Sequence, residues 1–175
     1  MNVPFVPVRG LLHTDYMRVR PDFLEMRNPY DPAEPIAVVP AIAPDVAVFH
    51  GLRGDHAGNV ITTVTTDAKL IAQAARRVVA TVEEVVDGDL AREPHVGALV
   101  PGIHVTAVVR APHGAHPTGC AGRYGDDADH IREYLRAAQA DDTFRAYLER
   151  YVRGTRDHAD YLREVGRDRA VLERA

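Results

Sequence analysis

His50, Arg53, Asp55 and His56 fall within ten residues, His50–Asn59, HGLRGDHAGN. The stretch lies between an apolar run, DVAVF (Asp45–Phe49), and a β-branched run, VITTV (Val60–Val64). A loop that gathers histidine, arginine and aspartate at the end of a strand is a candidate catalytic loop, because the sheet fixes its backbone while the loop stays free to carry polar groups. A structural account competes with this one: Gly58-Asn59 suits a tight turn, and Arg53 and Asp55 can pair or cap it. On balance Asp55, Gly58 and Asn59 are expected to fix the turn, leaving His50 and Arg53 to face a cleft.

Three other places concentrate polar groups. Arg9 beside Gly10 offers a planar fork for a carboxylate or phosphate, or is simply an exposed arginine paired with an acid. Glu83-Glu84 ends the run VVATVEEVV (Val78–Val86), where a carboxylate can serve as general base or nucleophile. Strand alternation puts the two on opposite faces, so at most one enters a given cleft. The loop Gly114–Cys120 holds His116, Thr118 and Cys120, a histidine, a hydroxyl and a thiol on a tight turn. No residue that would orient that histidine is identifiable, and small residues also mark close backbone approach. The nine histidines show no HExxH or helical HxxxH pattern, so no metal site is expected. Dinucleotide and P-loop phosphate motifs and the G-x-S-x-G elbow are absent from the sequence.

The elements that must position these groups read as α/β. IAVVP (Ile36–Pro40), DVAVFH (Asp45–His50), VITTV, VVATVEEVV, GALVP (Gly97–Pro101) and HVTAVVRAP (His104–Pro112) have strand length. DAKLIAQAARRV (Asp67–Val78) reads as a helix capped by Asp67 with Leu70, Ile71 and Ala74 on its packed face. The alternation favours a mainly parallel sheet. Prolines at 4, 7, 21, 29, 32 and 35 make residues 1–35 an irregular N-terminal segment. Residues 126–175 form C-terminal helices: Asp126–Ala138 with Ile131, Tyr134, Leu135 and Ala138 in phase, Thr143–Arg153 with Phe144, Tyr147, Leu148, Tyr151 and Val152, and a weaker one near 156–174.

At 175 residues the chain is expected to be one domain, or the larger part of one. A net charge of −4 with no basic run argues against a nucleic-acid partner. Lys69 is the only lysine among 21 basic residues, a bias read as GC-rich coding rather than phosphate binding. No window reaches the apolar length of a membrane span, and the lone Cys120 excludes an internal disulfide, so a cytoplasmic setting is expected.

Several stretches together resemble one family. PFVPVRGLLHTDYMRVRPDF (Pro4–Phe23), DVAVFH with Arg53, Asp55, Gly58 and Asn59, the strand Thr81–Glu84, and APHGAHPTGC (Ala111–Cys120) followed by YGDDADHIREY are similar to the A subunit of family I CoA-transferases. The likeness is to the glutaconate CoA-transferase type and its steroid-ring CoA-thioester hydrolase relatives. It implies a CoA-transferase α/β/α layered, mainly parallel sheet and an active site shared with a B subunit. CoA thioester and a carboxylic acid would be substrates, with no permanently bound cofactor. In the transferases a B-subunit glutamate attacks the acyl-CoA, giving an anhydride and then a glutamyl-CoA thioester. In the hydrolase branch an A-subunit glutamate acts, ahead of the segment matching Pro4–Gly10. The glycine-rich oxyanion loop and first strands also precede that segment, so this chain is expected to be a partial A-subunit domain in a homo- or hetero-oligomer. Its candidate substrate-binding residues are Arg9, His50 and Arg53; Glu83 and Glu84 are secondary catalytic candidates, and His116 and Thr118 are placed near the cleft or interface. Three activities stay open: CoA transfer, CoA-thioester ring hydrolysis in steroid or aromatic-acid catabolism, and a non-catalytic remnant that binds a B-like partner.

Overall fold

A computed structural model describes residues 3–167. The chain divides into two compact units, 1–44 and 45–175, where its length suggests one.

The first unit corrects the expectation of an irregular segment at 1–35. Strands β1 (Phe5–Val8), β2 (Leu24–Asn28) and β3 (Asp31–Pro40) form an antiparallel sheet in the order β1-β3-β2, with a short helix, α1 (Asp15–Val19), after β1. Proline forbids helix interiors but is tolerated on edge strands and at irregularities. Pro7 lies on edge strand β1, Pro29 in the β2–β3 turn, and Pro32 beside the register shift at Arg27/Asn28.

The second unit holds a five-stranded sheet in the order β7-β5-β4-β6-β8, built from β4 (Val46–Asp55), β5 (Val60–Thr62), β6 (Arg77–Val86), β7 (Ala98–Val100) and β8 (Ala107–Arg110). β4 pairs with β6 and β6 with β8 in parallel; β5 runs against them, pairing antiparallel with both β4 and β7, so the sheet is mainly parallel, as expected, with one reversed strand. Its core is made of small and β-branched residues: Ala47, Val60, Val78, Ala80, Val82 and Val100. Helix α2 (Ala68–Ala74) covers them with Ala68 and Ala72. The expected face of α2 is wrong. Leu70 and Ile71 are exposed, and Asp67 makes no capping hydrogen bond. Alanines on both sides let the helix approach closely, and that selects its small-residue face.

The other face of β4, β6 and β8 exposes Val46 and Val48 toward its N-terminal end and Val109 level with Thr81. Toward the C-terminal end that face carries polar groups instead. The C-terminal part comprises α3 (Ala128–Ala137), α4 (Asp141–Leu148), continued by a π-helical turn at Glu149–Arg153, and α5 (His158–Glu164). Asp127 caps α3 by accepting from the His130 N–H, and Asp157 caps α5 from the Asp160 N–H. The buried residue of α3 is His130, outside the expected stripe; of that stripe Leu135 is exposed, and Tyr134, partly exposed, packs edge-on against Phe144 and Tyr147. The remainder of the third expected helix lies outside the described residues.

Candidate functional site

Register decides which polar groups meet. β4 and β6 pair in parallel with His50 opposite Thr81, so His50 shares a face with the odd-numbered residues Thr81 and Glu83 of β6. His50, Thr81 and Glu83 therefore point together. His50 Nε2 lies 2.6 Å from Glu83 Oε1, and its Nδ1 lies 2.9 Å from Thr81 Oγ1. The side chains of His50 and Glu83 are 13% and 8% exposed.

The 111–125 loop closes over this pair. The Tyr124 hydroxyl donates to Glu83 Oε1 at 2.8 Å, and the His113 N–H donates to Oε2 at 3.0 Å. Tyr124 in turn accepts from the Ala115 N–H at 3.1 Å. Gly114 lies against the His50 imidazole so closely that a Cβ there would stand 2.8 Å from two ring atoms. Burial alone would raise the Glu83 carboxyl, but the His50, His113 and Tyr124 donors outweigh it and bring it down to about 2. Burial and that same carboxylate push the Tyr124 hydroxyl up. Cys120, buried in the loop, brings its sulfur within 4.8 Å of donor atoms of His50 and Glu83. That trio has metal-binding chemistry by type, yet both His50 nitrogens and both Glu83 oxygens already have hydrogen-bond partners. Burial raises the Cys120 thiol, which opposes a role as thiolate nucleophile.

A second network joins the loop to the C-terminal helices. His116 Nδ1 is 2.6 Å from the Tyr161 hydroxyl, and its Nε2 is 3.2 Å from Asp127 Oδ2, which Arg167 also contacts. Burial holds the His116 imidazole below its usual range. Around it, His130 meets Tyr147 at 2.8 Å and packs edge-on against Tyr151. These contacts seal His116 into the fold.

The sequence-predicted residues are thus sorted. His50 and Glu83 come together, whereas Glu84 turns away to Arg123 at 2.9 Å. Arg53 lies opposite Glu84 in the ladder. Thr118 is exposed and its hydroxyl donates to Ala115 O. Arg9, in the first unit, forms a two-point ion pair with Glu34 through Nε and Nη2, at 2.9 and 3.1 Å. Asp55 is a turn residue: its buried carboxylate accepts from the Ala57, Asn59 and Leu90 N–H groups and from Asn59 Nδ2, and Asn59 Oδ1 accepts from the Gly102 N–H. Gly58 supplies the positive φ of that turn, +85°. Sequence reasoning missed Thr81, His113 and Tyr124. Only Thr81 had a signal, being two residues before Glu83 on the same strand.

Comparison with known proteins shows what the chain is similar to. The Coenzyme A transferase family profile matches residues 24–111. The A subunit of the 3-oxoadipate CoA-transferase of Pseudomonas knackmussii is 32% identical over 165 residues, 94% of this chain and 57% of the relative. The cholesterol ring-cleaving hydrolase IpdA subunit of Rhodococcus jostii is 31% identical, covering 94% of this chain and 58% of its own. The crystal structure of glutaconate coenzyme A-transferase from Acidaminococcus fermentans superposes with a TM-score of 0.86 at 29% identity, over 97% of this chain and 58% of that one. The chain spans little more than half the length of these proteins.

Proposed function

Because the chain belongs to the coenzyme A transferase family, we propose that it is an A-subunit-like component of an enzyme that moves CoA between carboxylic acids. An acyl-CoA and a free acid are its substrates, and a B-type subunit is its partner. In this reading a partner carboxylate attacks the thioester carbonyl and CoA leaves as thiolate. The thiolate returns to the resulting anhydride, releasing the first acid and leaving a glutamyl-CoA thioester. The acceptor acid then takes the CoA by the reverse steps. A cytoplasmic setting belongs to the same reading and rests on the single free cysteine.

The observation that carries the proposal is the condition of Glu83. Its oxygens accept from three donors and its carboxyl is brought down to about 2, so it is a weak base and a poor nucleophile. A nucleophile supplied from outside this chain fits that state. Arg9, in the first unit, is the cation offered to the acid substrate. For Arg9 this means exchanging Glu34 for the substrate carboxylate, an exchange its exposed guanidinium permits.

A second reading, hydrolysis of a CoA-thioester ring, draws on the likeness to the IpdA subunit. One experiment separates the readings: the protein co-expressed with a B-type partner is given an acyl-CoA and a free acid acceptor. CoA on the acceptor supports transfer. Free CoA or an opened ring supports hydrolysis instead, and a stable complex without turnover supports an interface partner that does no chemistry.

A further inference from the structure

We propose that Glu83 is a positioning residue: backed by His50, its carboxylate ties both ends of the 111–125 loop to the parallel strands, and the reaction of the assembled enzyme requires the loop to be held there. The kinetic half of this inference rests on the CoA-transferase reading; the structural half does not.

The loop leaves β8, an edge strand, and has little regular structure of its own. One carboxylate spans it. Oε2 holds the start of the loop through the His113 N–H, and Oε1 holds its far part through the Tyr124 hydroxyl, which passes the tie back to the Ala115 N–H. These bonds reach 30 and 41 residues along the chain, so local propensity cannot replace them. His50 completes the arrangement from the neighbouring strand. It fixes Glu83 at 2.6 Å and provides the surface on which Gly114 lies.

His113 shows what the tie must hold. Its backbone sits at φ +56°, an uncommon conformation for a residue with a side chain, and its ring Nδ1 is buried without a hydrogen-bond partner among the described residues. Such a residue persists only where its surroundings over-determine it. Here they are the bond to Glu83 and the ring of Tyr124, whose centroid is 4.4 Å from that of His113. Glu83, nearly sealed from solvent with both oxygens occupied, acts on the loop and not on substrate. Gln at this position keeps the shape but turns an amide N–H₂ toward an N–H or hydroxyl donor.

The test has two arms. By hydrogen exchange on the whole chain, Glu83→Gln is expected to lower protection of the His113 and Ala115 amides about tenfold or more, while amides of Val78–Val82 stay as in the wild type. In the complex with a B-type partner, kcat is expected to fall about a hundredfold, the scale of a small misplacement near the chemistry. KM for acyl-CoA should change less than about threefold. Tyr124→Phe should shift both readouts in the same direction by less, and the double variant should be no worse than Glu83→Gln, because the two residues act as a unit. If Glu83→Gln does not fold, Tyr124→Phe carries both arms. Unchanged protection at 113 and 115, an equal loss of protection along β6, wild-type kcat, or a thioester-derived adduct on Glu83 would each overturn the proposal. A wild-type complex with no CoA transfer removes the reading of function, and the exchange arm then decides the tie by itself.

Discussion

Truncating Asp55 to alanine tests the turn that follows β4 more severely than any other single change. Its carboxylate accepts four hydrogen bonds of 2.9–3.0 Å, three from backbone N–H groups and one from Asn59 Nδ2. Asp55 is 3% exposed and Leu90 is fully buried, so water cannot reach the Leu90 N–H without opening the core. A buried donor left without an acceptor costs about 1–3 kcal/mol. Counting two of the four donors as fully stranded, and letting water satisfy those nearer the surface, gives a loss of about 3–5 kcal/mol, the range for breaking a buried network. Asp55→Asn keeps the shape and one acceptor oxygen but presents an amide N–H₂ to donors; about 2–3 kcal/mol is expected. With m near 2 kcal/mol/M for urea, Asp55→Ala should lower the midpoint by about 2 M, followed by far-ultraviolet circular dichroism because the chain has no tryptophan. pH supplies a second check. Burial would raise the Asp55 carboxyl, but Asn59 and the backbone donors win and hold it below its ordinary 3.8. Its contribution is therefore complete above about pH 4 and disappears as pH falls through the folded value, so the gap between wild type and Asp55→Asn should close only in acid. A loss under about 1 kcal/mol for Asp55→Ala at neutral pH, with unchanged m, would refute the reasoning.

Other outcomes follow from the same geometry. Glu83, held at about 2 against an ordinary 4.5, stabilises the fold fully above that ordinary value and loses its contribution as pH drops toward 2. The stability gap between wild type and Glu83→Gln should therefore narrow across that window, and a gap independent of pH would contradict the assignment. Gly114→Ala places a Cβ 2.8 Å from Ala111 O and from the His50 ring, and should cost about 1–3 kcal/mol; an unchanged Tm argues that the loop sits elsewhere. Arg9→Ala removes an ion pair whose arginine is 80% exposed, so folding stability should change by less than about 1 kcal/mol. In the reconstituted complex the same variant should raise KM for the acid substrate about tenfold or more, if a charge-assisted bond is lost. Unchanged KM would remove Arg9 from the site.

What the residues disclosed in advance was local. The run before His50 reads as a strand, and Asp55, Gly58 and Asn59 form the turn their types suit, because a positive φ and short side-chain-to-backbone bonds are properties of neighbours in the chain. The meeting of His50 with Glu83 is different in kind. It depends on a parallel register across 33 residues, which no local periodicity encodes. Tyr124 and His113 come from a stretch with no period at all. Two errors share a cause: α2 buries Ala68 and Ala72 rather than Leu70 and Ile71, and α3 buries His130 rather than its aliphatic stripe. In each case the surface underneath, tight alanines in one and a tyrosine cluster in the other, overrode hydrophobicity. Proline density excluded helices from residues 1–35 but not an antiparallel sheet that holds Pro7 on an edge strand, Pro29 in a turn, and Pro32 and Pro35 on the stretch of β3 that β1 does not pair.

The bare valines of β4 and β8 have a thermodynamic consequence. A face carrying Val46, Val48 and Val109 into water belongs to a fold whose measured stability is not a fixed constant of the sequence. Any species that covers this face in the folded state, and ignores the unfolded chain, adds RT ln(1 + [L]/Kd) to the free energy of unfolding. A hundredfold excess over Kd is worth about 2.7 kcal/mol, comparable to a whole Asp55→Asn substitution. Unfolding curves of this chain thus carry meaning only with concentration and companion stated, and a midpoint that climbs with concentration is itself a titration of that face.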